Sequence, residues 1–90
     1  MKEITLNHYA DAGHGWLFIT NEQMEEYGIS KDDFSKFSYY DDKGVYAEED
    51  VDANKVIDAI TNKGISIAFE VIRIEGLSPI RELERTGASE

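Results

Sequence analysis

Apolar and polar residues alternate along Ile4-Thr5-Leu6-Asn7-His8-Tyr9. This is the period-two pattern of a strand with one face on a core. Gly13-His14-Gly15 reads as a turn, and Trp16-Leu17-Phe18-Ile19 is apolar on both faces, as suits an inner strand. Thr20 opens a helix. Thr20 and Gln23 have capping-box spacing, Ile19 and Met24 stand at the positions of a hydrophobic staple, and Gly28 supplies a left-handed stop. Ser30 caps a short turn that runs to Phe34. Residues 37–40 and 45–48 are aromatic and β-branched around Asp41-Asp42-Lys43-Gly44, which reads as a hairpin. Asp52 is the next expected N-cap, with Val51 and Val56 as a second staple. Ala53, Val56, Ile57 and Ile60 share one helical face, and Gly64 ends that helix. Residues 65–74 are too β-branched for anything but a strand. Ser78-Pro79 starts a last helical turn, and residues 86–90 are expected to fray.

The order is strand–strand–helix, strand–strand–helix, strand. The expected fold class is α+β, a mixed, mainly antiparallel sheet with both helices packed on one face. The halves echo each other: each helix ends in Gly-Ile-Ser, at residues 28–30 and 64–66. One domain over residues 1–90 is expected, since 90 residues support a single modest core.

Charge changes the picture of what the domain can meet. The chain carries 19 acids against 9 bases, net −10. Residues 41–58 alone hold seven acids and two bases, half of the net charge. Nucleic acid and anionic membrane repel such a chain. A basic protein surface attracts it and steers it into place. There is no cysteine, so thiolate chemistry, disulfides and cysteine-built zinc sites are excluded. The N-terminus does not read as a signal peptide and the longest strictly apolar run is residues 16–19, so a cytoplasmic location is expected.

Candidate chemistry is sparse. His8, Asp11 and His14 offer ligand types suited to a borderline metal. Their spacing belongs to a strand end and a turn, which does not aim both imidazoles at one point. The alternative is that His14 and Trp16 pack to hold the turn shut. The remaining acids come in solvated runs, without the desolvated partner that acid–base catalysis needs. Phosphate-binding glycine loops, nucleophile elbows and EF-hand spacing are missing from the sequence. No enzymatic activity and no cofactor are expected.

The aromatic set Phe34, Phe37, Tyr39, Tyr40 and Tyr46 is denser than one ribbon face can bury. Some of these tyrosines are expected at the surface beside acid, as in a protein-binding patch. The candidate partner-binding residues are Tyr39, Tyr40, Asp41, Asp42, Tyr46, Glu48, Glu49 and Asp50. The alternative is that the rings bridge core and solvent in a small protein.

Five segments also resemble a known group. They are residues 11–17 (Asp-Ala-Gly-His-Gly-Trp-Leu), 27–30 (Tyr-Gly-Ile-Ser), 37–39 (Phe-Ser-Tyr), 45–53 (Val-Tyr-Ala-Glu-Glu-Asp-Val-Asp-Ala) and 78–81 (Ser-Pro-Ile-Arg). In order and spacing they resemble the small acidic proteins of many bacteriophages and plasmids, which carry D-x-x-H-G-W-L, Y-L-E-E-D-C-D-A and S-x-I-R. Ala47 replaces the leucine of that pattern and Val51 the cysteine. The resemblance implies a phage or mobile-element setting. It also implies a function common among small acidic phage proteins: inhibition of a host defence nuclease, of CRISPR or restriction type, by occupying its basic nucleic-acid-binding surface. The rival expectations are a non-inhibitory or self-associating accessory domain, and a metal-dependent activity at His8, Asp11 and His14.

Overall fold

A computed structural model describes residues 2–87. Strand β1 (Glu3–Ala10) turns into β2 (Gly15–Thr20), which runs into helix α1 (Asn21–Tyr27). The Thr20 capping box is formed: Gln23 N–H donates to Thr20 Oγ1, and Thr20 N–H donates to Gln23 Oε1, both at 3.0 Å. A 3-10 turn at Lys31–Asp33 follows, capped by Ser30. The hairpin is β3 (Tyr39–Tyr40) and β4 (Gly44–Glu48), then come helix α2 (Ala53–Thr61) and β5 (Ser66–Arg73). A 3-10 turn at Pro79–Glu82 leads to a two-residue strand, β6 (Glu84–Arg85), which the sequence pattern does not show.

The six strands form one sheet in the order β5-β1-β2-β4-β3-β6. β1 and β5 are parallel, and every other pair is antiparallel. The fold is therefore α+β with a mixed, mainly antiparallel sheet. Opposed residues in a sheet share a face. Leu17 lies opposite Ala47 and Ile19 opposite Val45, and these four meet Met24 and Tyr27 of α1 and Ala53, Val56 and Ile60 of α2. Burying the leucine, isoleucine, valine and methionine side chains stabilises by about 1.5–3 kcal/mol each relative to exposure. Trp16 opposite Glu48 and Phe18 opposite Tyr46 point the other way, onto a face without a helix.

Gly28 and Gly64 take left-handed φ of 73° and 79° behind the two helices, as expected. Gly44 has a different reason to be glycine. A Cβ there would stand 2.1 Å from the Ile19 carbonyl oxygen, so β4 approaches β2 only because the side chain is missing.

Two expectations at α2 are corrected. Asp52 makes no capping bond to the helix. It is fully buried and turns instead to the loop before β3, where it accepts from Ser35 N–H, Ser35 Oγ and Ser38 Oγ and pairs with Lys55 at 2.9 Å. Val51 is 44% exposed, so only Val56 of that staple is in the core. Residues 86–90 are corrected at one end: Thr86 is buried, donating its N–H to Ser38 O at 2.9 Å and its hydroxyl to Ser35 O at 2.5 Å. The expected fraying of residues 88–90 lies outside the described residues. Among the described residues no helix is long and apolar enough to cross a membrane.

Candidate functional site

The acidic hairpin is built by one of its own carboxylates. Asp41 Oδ1 accepts the N–H groups of Lys43 and Gly44 and so closes the turn, while Asp41 Oδ2 accepts the Tyr46 hydroxyl at 3.0 Å. The tip then docks on the start of α1. Asn21 Nδ2 donates to Asp42 O at 2.9 Å, and Asn21 N–H to Lys43 O at 3.0 Å. Asp42 is left exposed.

Tyr46 continues from this turn onto the helix-free face. Its ring lies 4.6 Å from that of Phe18 and 6.0 Å from that of Tyr9. All three are half-buried. Burial first, and then the bond to Asp41, push the Tyr46 hydroxyl up to about 12, so it remains a neutral donor at physiological pH. The result is an aromatic strip across β1, β2 and β4 that ends at Asp41 and Asp42. Tyr9 and Phe18 were not among the residues expected in a patch. The signal was nevertheless in the sequence, since Tyr9 and Phe18 occupy alternate positions opposite to those of Leu6, Leu17 and Ile19.

The part of the same face at Trp16 and Tyr39 is covered. Ile80 and Leu83 pack on Trp16 and Tyr39, the Arg81 guanidinium lies 5.5 Å from the Trp16 ring, and that of Arg85 lies 5.1 Å from the Tyr39 ring. Tyr39 is buried beneath this C-terminal segment and leaves the candidate surface. Tyr40 leaves it too. Tyr40 is opposite Val45, which puts it on the helix side, where Lys31 Nζ sits 3.8 Å from its ring centroid. The strand alternation that carries Tyr46 to the patch carries Tyr40 away from it.

The acids after β4 divide in the same way. Glu48 is buried, and its Oε1 accepts the N–H groups of Asp50 at 2.8 Å and Val51 at 2.9 Å. It folds the link between β4 and α2 and is not a solvated surface charge. Glu49 and Asp50 are exposed. Glu49 stands over Gly15 on the helix side, with Oε1 3.6 Å from His8 Nε2, whereas Asp50 borders a cleft of about 350 Å³ near Phe37 and Val51. Of the eight expected residues, Asp41, Asp42 and Tyr46 come together. Glu49 and Asp50 are exposed at the other end of β4, and Tyr39, Tyr40 and Glu48 have internal roles.

The structure does not bring His8, Asp11 and His14 together. Asp11 uses both oxygens on Arg81 and also accepts from Gly13, His14 and Ser78 N–H groups. Arg81 foremost, then the Ser78 N–H, holds its carboxyl well below the usual carboxylate range. His8 goes to Glu49, while His14 lies 3.7 Å from Glu48 and beside Trp16. Among the described residues no three His, Cys, Asp or Glu side chains are grouped to hold a metal ion.

Comparison with protein-family models, with curated proteins and with solved structures finds no match.

Proposed function

We propose that this chain is a non-enzymatic binding protein of bacteriophage or mobile-element type that docks on a basic surface of a host nucleic-acid-processing protein and inhibits it. A defence nuclease of CRISPR or restriction type is the proposed target class, and the host cytoplasm the place of action. The observation that carries the reading is the Tyr9–Phe18–Tyr46 strip, left without a helix and ending at Asp41 and Asp42. Half-buried tyrosine beside exposed acid suits a binding hot spot, because the rings supply contact area at small entropic cost and the acids supply steering. The net charge of −10 favours a basic protein surface and disfavours direct contact with nucleic acid. The phage setting and the inhibitory outcome rest on the sequence resemblance.

The test is capture from host lysate on immobilised protein, with Tyr46→Ala and Asp42→Lys as controls and nucleic acid as competitor. Recovery of a nucleic-acid-processing complex that both substitutions and the competitor release supports the reading. Recovery that is indifferent to all three contradicts it.

A further inference from the structure

The two edges of the sheet are built differently. β6 is two residues long and both are charged, which blunts it as a template for another strand. β5 is eight residues long, with no proline, no lysine and an unbroken register against β1 from Ser66 to Arg73. Of the usual protections such an edge carries only the charges of Glu70 and Arg73.

Its hydrogen-bonding phase follows from its ends. Ser66 N–H donates to Lys2 O and Ile74 N–H to Ala10 O. In a parallel pair the residues bonded to the neighbour alternate, so the even-numbered residues of β5 face β1. The N–H and C=O groups of Ile67, Phe69, Val71 and Arg73 face outward, where no strand pairs with them among the described residues. The same residues carry their side chains on the helix side, where Ile67 packs against the core while Phe69 is 49% and Val71 53% exposed.

We propose that β5 pairs antiparallel with β5 of a second copy of this chain, joining the two sheets into one. The strand is self-complementary in one register. With Phe69 opposite its own copy, Ile67 lies opposite Val71 of the second chain, and all of these bond outward. An aromatic pair flanked by β-branched pairs is a favourable cross-strand set. Shifting the register by two one way sets Glu70 against its own copy, and like charges directly opposed are destabilising. Shifting it by two the other way pairs only residues 66–70 and leaves Val71 opposite Ile65, outside the strand. Charge permits a second copy at this edge. β5 holds one acid and one base, Glu70 and Arg73, in a chain of net −10. The acidic hairpin strand β4 is three positions from β5. At about 4.8 Å per strand the two β4 strands of the pair are about 34 Å apart, well beyond the screening length of physiological salt. A strip one strand long is small for an interface, so the dimer is reversible, with dissociation in the micromolar range. This surface is separate from the aromatic strip, and neither proposal requires the other.

Sedimentation velocity from about 5 μM to about 1 mM spans that range. The wild type is expected to pass from monomer to dimer, and lowering salt well below physiological strength is expected to weaken the dimer as the repulsion between acidic copies is no longer screened. Phe69→Lys sets two lysines face to face at the dyad and is expected to weaken the dimer at least about tenfold. Phe69 is half exposed, and Trp16 fluorescence and the melting temperature check that the variant is folded. Hydrogen exchange gives an independent reading. The amides of Ile67, Phe69 and Val71 gain protection as concentration rises, while those of Ala68 and Glu70 are slow throughout. A monomer at every concentration overturns the proposal. So does a dimer indifferent to Phe69→Lys, or an edge that binds foreign strands while the chain stays monomeric.

Discussion

Arg81 closes a two-pronged ion pair on Asp11 across 70 residues of chain, Nε to Oδ2 at 2.8 Å and Nη2 to Oδ1 at 3.0 Å. This pair fastens the C-terminal turn to the link between β1 and β2 and sets a guanidinium beside the sole tryptophan, Trp16. Lysine cannot reproduce the fork. Arg81→Lys is expected to lower the melting temperature and shift Trp16 emission to the red as the C-terminal cover loosens. Unchanged emission and melting would show that Ile80 and Leu83 hold the cover without the ion pair.

The same pair sets an acid limit. The Asp11 carboxyl is depressed by Arg81 and by the Ser78 N–H. A depressed carboxyl contributes stability that is complete above its unfolded pKa, about 3.9, and that is lost as pH falls through the folded value. Urea melts are expected to show a stability loss below about pH 4, with a shallower acid limb in Asp11→Asn. Equal slopes in the two proteins would remove Asp11 from the acid transition.

Asp52 carries the clearest stability prediction. Burial alone would raise its carboxyl, but bonds from Ser38, Lys55 and Ser35 outweigh it and hold the group below its ordinary value. The carboxylate joins the start of α2 to the loop before β3, and through Ser38 to Glu48 N–H at 2.9 Å. Truncating it orphans the Ser35 N–H and the Ser38 hydroxyl in the interior, at about 1–3 kcal/mol each. Asp52→Ala is expected to approach that loss in urea melts. Asp52→Asn is expected to lose at least about 2 kcal/mol, because one amide oxygen cannot serve Ser35 N–H, both hydroxyls and Lys55. A helix cap would behave otherwise, losing about 1 kcal/mol in alanine and little in asparagine.

Glu48 and Glu49 are neighbours in sequence with opposite expected outcomes. Glu48→Ala exposes no charge but orphans the Asp50 and Val51 N–H groups, at a cost of about 1–3 kcal/mol. Glu49→Ala removes an exposed carboxylate from a 3.6 Å contact with His8 and is expected to stay within about 0.5 kcal/mol of wild type. Equal effects of the two substitutions in urea melts would contradict the assignment of Glu48 to the interior.

Local signals carried much of the fold. The Thr20–Gln23 box, the Ile19–Met24 staple and the glycine stops are all encoded within a few residues, and each is formed. Alternation and β-branching were enough for the neighbourhoods of β1 to β5 and for the one buried face of α2. Long-range pairing was not legible. The acid run of residues 41–58 looks uniform in sequence, yet Asp41, Glu48 and Asp52 turn inward, Asp41 toward Tyr46, Glu48 onto the Asp50 and Val51 N–H groups and Asp52 across the fold to Ser35 and Ser38. Tyr39 and Tyr40 are adjacent and fall on opposite faces, and only the pairing with Arg85 and Glu84 puts a cover over Tyr39. β6 was invisible for the same reason: two charged residues form a strand there only because β3 is beside them.

The account rests most heavily on the surface around Tyr46, and the direct measurement is binding to purified defence nucleases, with and without their nucleic acid, as salt is raised. The account predicts a saturable complex with the nucleic-acid-free form. Affinity is predicted to fall at least about tenfold from low salt to high, as steering between opposite charges is screened. Tyr46→Ala and Asp42→Lys are each predicted to weaken binding by a similar factor while melting like folded protein. A complex that ignores salt, bound nucleic acid and both substitutions would contradict the account.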